Sequence, residues 1–238
     1  MLKKVICLII FAQLSCQGDI QEYPITISPE IRSNEVVTDN PNVISTYLAL
    51  GDSYTIGQGV EEKDRWPNQL VEQLKKNNYF FDKPLIIAGT GWATDALDAA
   101  IIAENLSETY DLVTLLIGVN NQFRGRSLED FRIQFKELLS QAIILAKNKP
   151  ENVIVVSIPD WGVSPYGSNF DRVKISQEID NFNRVKKDET LKRNSKFVDI
   201  TGISRLALNN DTFIVSDGLH FSGEMYGIWV AEIIRNCF

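Results

Sequence analysis

Five short apolar runs, at residues 45–50, 85–88, 112–117, 153–158 and 197–200, constrain this chain more than any other feature. Most are near-continuous stretches of Val, Ile, Leu or Ala rather than apolar–polar alternations, as in Leu112-Val113-Thr114-Leu115-Leu116-Ile117. Strands of that kind are covered on both faces, which is the habit of parallel sheets whose helices carry the chain from one strand to the next. Amphipathic stretches fill the intervals. Pro67 suits a first helical turn, with Leu70, Val71 and Leu74 following on one face. Asp95 is expected to cap a helix reaching about Ala103. Ser127-Leu128-Glu129-Asp130 resembles a capping box opening the longest helix, with Phe131, Phe135, Leu138, Ala142 and Leu145 at helical spacing. An exposed, charge-rich helix is expected from about Ser176 to Lys192, and Ser222 precedes a last one carrying Met225, Ile228, Trp229 and Ile233. The alternation of strand and helix implies an α/β fold, a parallel sheet with right-handed crossovers and helices on both faces.

With 238 residues, 44% hydrophobic and 23% charged, the chain suffices for one sizeable core. Its start reads differently. In residues 1–15, Lys3 and Lys4 precede an apolar run too short to span a bilayer but of the length of a signal-peptide core, so export is expected. Gln13-Leu14-Ser15-Cys16 resembles a bacterial lipoprotein signal, in which Cys16 would become the lipidated first residue, although Gln13 occupies a place usually held by an aliphatic residue. Ordinary cleavage nearby, giving a freely secreted or periplasmic protein, is the alternative. Residues 17–44 are polar, contain Pro24, Pro29 and Pro41, and read as a tether to a domain at 45–238, expected to be monomeric.

Charge narrows the partners. Loss of Lys3 and Lys4 moves the net charge from -7 to -9, which speaks against nucleic acid or anionic lipid, so membrane contact is expected only through the anchor. Of the three cysteines, Cys7 would be removed, Cys16 lipidated and Cys237 left alone, so no disulfide framework is expected. One histidine and one unmodified cysteine do not make a typical zinc site, and no metal or cofactor is expected.

Chemistry gathers at the ends of the strands. Gly51-Asp52-Ser53-Tyr54-Thr55-Ile56-Gly57 follows the first run, and a serine on a glycine-flanked turn there presents its hydroxyl away from the sheet. A serine nucleophile needs a base, and His220 is the only histidine in the chain. Asp217, three residues before it across Gly218, can fold back to hold the ring. Gly89-Thr90-Gly91-Trp92 follows the second run and Gly118-Val119-Asn120-Asn121 the third; a backbone N–H and an asparagine amide are the donors an oxyanion requires. Taken singly, each motif is more often an ordinary turn.

In this order the four blocks resemble the SGNH (GDSL) hydrolases, serine esterases and lipases, over residues 45–238. The resemblance implies a three-layer αβα fold with a five-stranded parallel sheet of flavodoxin-like order 2-1-3-4-5. It implies Ser53 as nucleophile, His220 as base and then acid, Asp217 as its orienting carboxylate, and an oxyanion hole from the Ser53 and Gly91 N–H groups and the Asn120 side chain. That strand order sets the ends of strands two, one and three side by side at the topological switch point. Asn121 stands where many relatives have aspartate, which puts the support of that turn in question. Trp92, Arg124, Arg126 and Trp161 are candidate pocket-lining residues, and Asp52 is read as structural support.

The expected activity is hydrolysis of short acyl or acetylated carbohydrate esters through an acyl-enzyme on Ser53. Acyl transfer to envelope glycans, and a non-catalytic surface lipoprotein that binds a glycan or acylated ligand, are the alternatives. A phosphate-binding reading fails because residues 51–59 lack a Gly-Lys-Ser/Thr ending and residues 89–94 lack the last small residue of a dinucleotide loop.

Overall fold

A computed structural model describes residues 44–238. The expected signal peptide, Cys16 and nearly all of the tether lie outside the described residues.

Five strands, β1 (Tyr47–Asp52), β2 (Leu85–Gly89), β3 (Leu112–Leu116), β4 (Val153–Val156) and β5 (Lys196–Val198), form an all-parallel sheet in the order β2-β1-β3-β4-β5. Every residue of β1, β3 and β4 is buried, as their unbroken apolar character requires. Among the described residues, eight α-helical segments accompany the sheet: α1 (Ser53–Ile56), α2 (Trp66–Lys76), α3 (Thr94–Glu104), α4 (Val119–Phe123), α5 (Leu128–Leu145), α6 (Arg172–Lys192), α7 (Thr201–Ser204) and α8 (Gly223–Cys237). Helix α2 packs against α8, while α5 packs against both α3 and α6, so the sheet is the middle of three layers. The α/β class, parallel sheet and strand order expected from the sequence are those observed.

The element boundaries differ for identifiable reasons. Strand β1 runs two residues beyond the apolar stretch, because Gly51 and Asp52 keep register with Ala88 and Gly89 of β2. Strands β3 and β4 end before their apolar runs do. The Lys186 ammonium takes the carbonyls of Ile117 at 2.9 Å and Val156 at 2.7 Å, at the point where the two strands part. Asp95 is not a cap: α3 begins at Thr94 after Ala93, and Asp95 lies in the first turn, paired with Arg126 at 2.8 Å. The Ser127 cap forms at 3.0 Å from the Asp130 N–H, but Asp130 accepts the Ser127 hydroxyl at 2.7 Å instead of returning to the backbone.

Helix α6 departs most from expectation. It starts at Arg172, with Asp171 accepting from the Lys174 N–H at 3.0 Å, and is not the exposed helix expected from Ser176. Ile175, Ile179, Phe182 and Val185 bury one face of it, and Asn183 and Lys186 are buried among them. Its many charges hid that face.

Candidate active site

The nucleophile candidate stands where β1 turns into α1. Asp52 ends the strand, accepts the Tyr54 N–H at 3.0 Å and so caps the short helix that Ser53 begins. Gly51 cannot be replaced there without movement, because an added Cβ would meet the Thr55 side chain and lie 2.6 Å from the Leu116 carbonyl oxygen. This close approach draws the ends of β1 and β3 together beneath Ser53.

His220 sits on the loop before α8. Its Nδ1 is 2.6 Å from Asp217 Oδ2, while the other oxygen of Asp217 accepts the backbone N–H groups of Leu219 at 2.8 Å and His220 at 2.9 Å. The loop is closed further by Val215 N–H to the His220 carbonyl at 2.9 Å and Gly218 N–H to the Val215 carbonyl at 3.0 Å. Partial burial alone would raise the pKa of Asp217. The His220 backbone N–H, the His220 ring and the Leu219 N–H outweigh it and hold the carboxyl below its ordinary value. The tilted ring of Tyr54, with its centroid 5.6 Å from that of His220, backs the imidazole.

The two donor candidates belong to neighbouring turns. Gly91 adopts φ +76°, a conformation that favours glycine, and its carbonyl accepts the Arg124 guanidinium at 2.6 Å. Asn120, at the start of α4, donates one amide hydrogen to the Trp92 carbonyl at 2.9 Å. Its neighbour Asn121 is fully buried: its Oδ1 accepts the Thr94 N–H at 3.2 Å, and its Nδ2 donates to Thr94 Oγ1 at 2.6 Å. An amide thus ties the β3–α4 turn to the start of α3, a link that an aspartate could make only by its acceptor half.

Ser53, Gly91, Asn120 and His220 all face one cavity of about 150 Å³, with Trp161 and Tyr166 in its wall. Trp92 and Arg124 are not among its lining residues. Trp92 folds over Gly89, where a Cβ would collide with its indole, and Arg124 is spent on the Gly91 carbonyl. Arg126 is held by Asp95. Of the four lining candidates, only Trp161 reaches the cavity. Asp160, from the same loop, is fully buried; it accepts from the Gly162 N–H at 2.9 Å, Ser176 at 2.5 Å and Arg205 Nε at 2.9 Å.

Sequence reasoning missed Phe123, Tyr166 and Leu219, which also line the cavity. It also missed Gln122, whose Oε1 accepts the Trp161 indole N–H at 2.8 Å. An unexpected charge lies beneath the site: Lys186, fully buried and 5.9 Å from the centroid of the Phe135 ring. Burial pushes its pKa down to about 7 against the pull of Asp52 and Asp199. Burial pushes Asp52 up to about 7, opposed by the Tyr54 N–H and by Lys186.

Among known structures, the acetylxylan esterase Axe2 from Geobacillus stearothermophilus is 18% identical over 81% of this chain and 94% of its own, with a TM-score of 0.64. TesA is 17% identical over 80% of this chain and 97% of its own, at 0.63. The psychrotrophic esterase EstA from Pseudoalteromonas sp., in a form inhibited by monoethylphosphonate, is 14% identical over 81% and 96%, at 0.57. At such identities these likenesses speak for the fold. No curated protein matches the chain in sequence. The family model described as GDSL-like Lipase/Acylhydrolase matches residues 49–228, a stretch that runs from β1 into α8, and the chain therefore belongs to that family as a GDSL-type ester hydrolase.

Proposed function

We propose that the protein is a serine esterase acting on short acyl or acetylated carbohydrate esters through an acyl-enzyme on Ser53. One observation carries the reading: the His220 ring, held by Asp217 at 2.6 Å, faces the same cavity as Ser53, Gly91 and Asn120. With Asp217 accepting the Nδ1 proton, Nε2 is the acceptor left for the serine. Ser53 Oγ attacks the ester carbonyl carbon as His220 takes its proton. The carbon–oxygen bond to the alcohol then breaks, the alcohol oxygen receives that proton, and the acyl group stays on Ser53. Water, deprotonated by His220 in turn, releases the acid and returns the serine. The negative oxygen of each intermediate meets the N–H groups of Ser53 and Gly91 and the Asn120 amide hydrogen not given to Trp92.

The cavity of about 150 Å³ supports a small ester, since pockets for drug-sized ligands measure roughly 300–1,000 Å³. The esterase and acetylxylan esterase among the structural neighbours agree with ester chemistry of this kind. A fluorophosphonate probe tests the assignment: covalent mass on Ser53 is expected, and its loss in His220→Ala. Turnover of a p-nitrophenyl ester should fall by on the order of 10³-fold or more in Ser53→Ala and in His220→Ala. Correctly folded protein that takes no label, or either variant with near-normal turnover, would refute the reading.

A further inference from the structure

We infer that Phe123, Trp161, Tyr166 and Phe170 form the seat for the alcohol half of the ester and select alcohols that carry a six-membered ring. This rests on the esterase reading and adds which half of the substrate is selected, and by what.

Three of these rings lie side by side at the surface, with Phe123 49%, Tyr166 38% and Phe170 46% exposed, while Trp161 is 4% exposed. A contiguous apolar patch rimmed by polar residues marks a binding surface, and this one continues into the cavity. Phe123 and Phe170 each stand nearly edge-on to Trp161, with centroids at 5.4 Å and 5.3 Å and planes at 70° and 80°. They are 6.5 Å apart and inclined at 68° to each other, and Tyr166 extends the array 5.4 Å from Phe170. The result is a herringbone open on its solvent side. Its base is fixed, because the Trp161 indole is held by Gln122, whose own amide donates to Glu178 at 2.7 Å.

A further ring continues such an array, presenting its C–H edge to one face and receiving an edge on another. A saturated ring offers the same C–H edges. A flexible chain covers the patch only by giving up rotamer freedom, which a ring has already lost. The four side chains are two phenyl rings, an indole and a phenol, and they offer a charged head group no carboxylate, ammonium or guanidinium.

The seat's position identifies the half of the substrate it meets. Phe123, Trp161 and Tyr166 line the cavity that Ser53 and His220 face. The Tyr166 N–H donates to the Gly218 carbonyl at 2.8 Å, so the Tyr166 side of the cluster is tied to the loop that carries Asp217 and His220. His220 hands its proton to the departing alcohol oxygen, so a seat tied to the histidine's loop is placed to meet the alcohol's substituent.

The test compares kcat/KM for ethyl, hexyl, benzyl and cyclohexylmethyl acetates, which share an acyl group, and for ethyl phenylacetate, which places the ring on the acyl side. Benzyl and cyclohexylmethyl acetates should exceed ethyl acetate by about tenfold or more and should also exceed hexyl acetate. In Phe123→Ala and Phe170→Ala the ring-to-ethyl ratio should fall towards one. Phe170→Leu, which keeps apolar bulk without the ring, should lose part of it. Unfolding midpoints and fluorophosphonate labelling of Ser53 establish that each variant is folded. A ratio unchanged in the variants, or a preference for ethyl phenylacetate that the variants abolish, overturns the seat. Equal turnover of all five esters overturns the seat alone; turnover of none overturns the esterase reading with it.

Discussion

Two adjacent asparagines on the turn after β3 do different work. Asn120 keeps an amide hydrogen for the cavity, whereas both ends of the Asn121 amide are taken by Thr94. Asn120→Ala should therefore lower kcat by about 10²–10³-fold and leave the unfolding midpoint nearly unchanged. Asn121→Ala should lower the midpoint, at a cost of about 1–3 kcal/mol for the buried Thr94 groups left unpaired, and reduce kcat less. Paired urea titrations and steady-state kinetics on the two variants check this, and the reverse pattern would exchange their roles. Of the four blocks read from the sequence, this is the one whose second residue needed the structure: Gly-x-Asn is legible, but the partner of the following residue lies 27 positions away.

At the scale of elements, α6 governs how β3 and β4 end. Lys186 reaches from its buried face to cap the carbonyl just after β3 and the last carbonyl of β4, and the chain after Ile117 goes directly into the turn that carries Asn120. Replacing Lys186 with Met strands both carbonyls and removes the positive charge that opposes the upward push of burial on Asp52. The expected loss is about 1–3 kcal/mol for each carbonyl left unpaired, and Lys186→Met with Asp52→Asn should lose less than Lys186→Met alone.

The same pair sets a pH dependence. Burial raises the folded pKa of Asp52 from 3.8 to about 7, so its contribution is full below the unfolded value and declines as pH rises towards 7. Burial lowers that of Lys186 from 10.5 to about 7, so its contribution is full above the unfolded value and declines as pH falls towards 7. Their sum is weakest near neutrality. Urea unfolding from about pH 5 to 9 should show the gap between wild type and the double variant changing through a turning point near 7; a gap that is flat across this range would contradict the pairing. Asp217 has the opposite sign. Its depressed pKa gives stability above the unfolded value that is lost as pH falls through the folded one.

At the scale of the whole molecule, the strand order does the assembling. With β1 between β2 and β3, the turns bearing Gly91, Ser53 and Asn120 emerge as neighbours at the switch point, and the loop before α8 brings His220 over them. An anchor belongs to this scale as well. We propose that the chain is exported and tethered through Cys16; Cys16→Ala should then move it from the membrane fraction to the soluble one. Equal distribution of both forms, measured by fractionation and immunoblot, would remove the anchor.

The layering, and the ester-hydrolase family that the four motif blocks resemble, are legible in the sequence. Apolar runs covered on both faces admit little besides a parallel sheet between helices, and a chain with one histidine offers a serine one imidazole base. Which side chains meet is set by packing. Trp92 and Arg124 looked as able to line the cavity as Trp161, yet they are spent on Gly89 and the Gly91 carbonyl. Lys186 falls within the helix expected to be exposed and charge-rich, and no local pattern joins Phe123, Tyr166 and Phe170. Periodicity reports the environment of a residue along its own element. Contacts between turns distant in sequence are set by how the strands and helices pack, which no local pattern records.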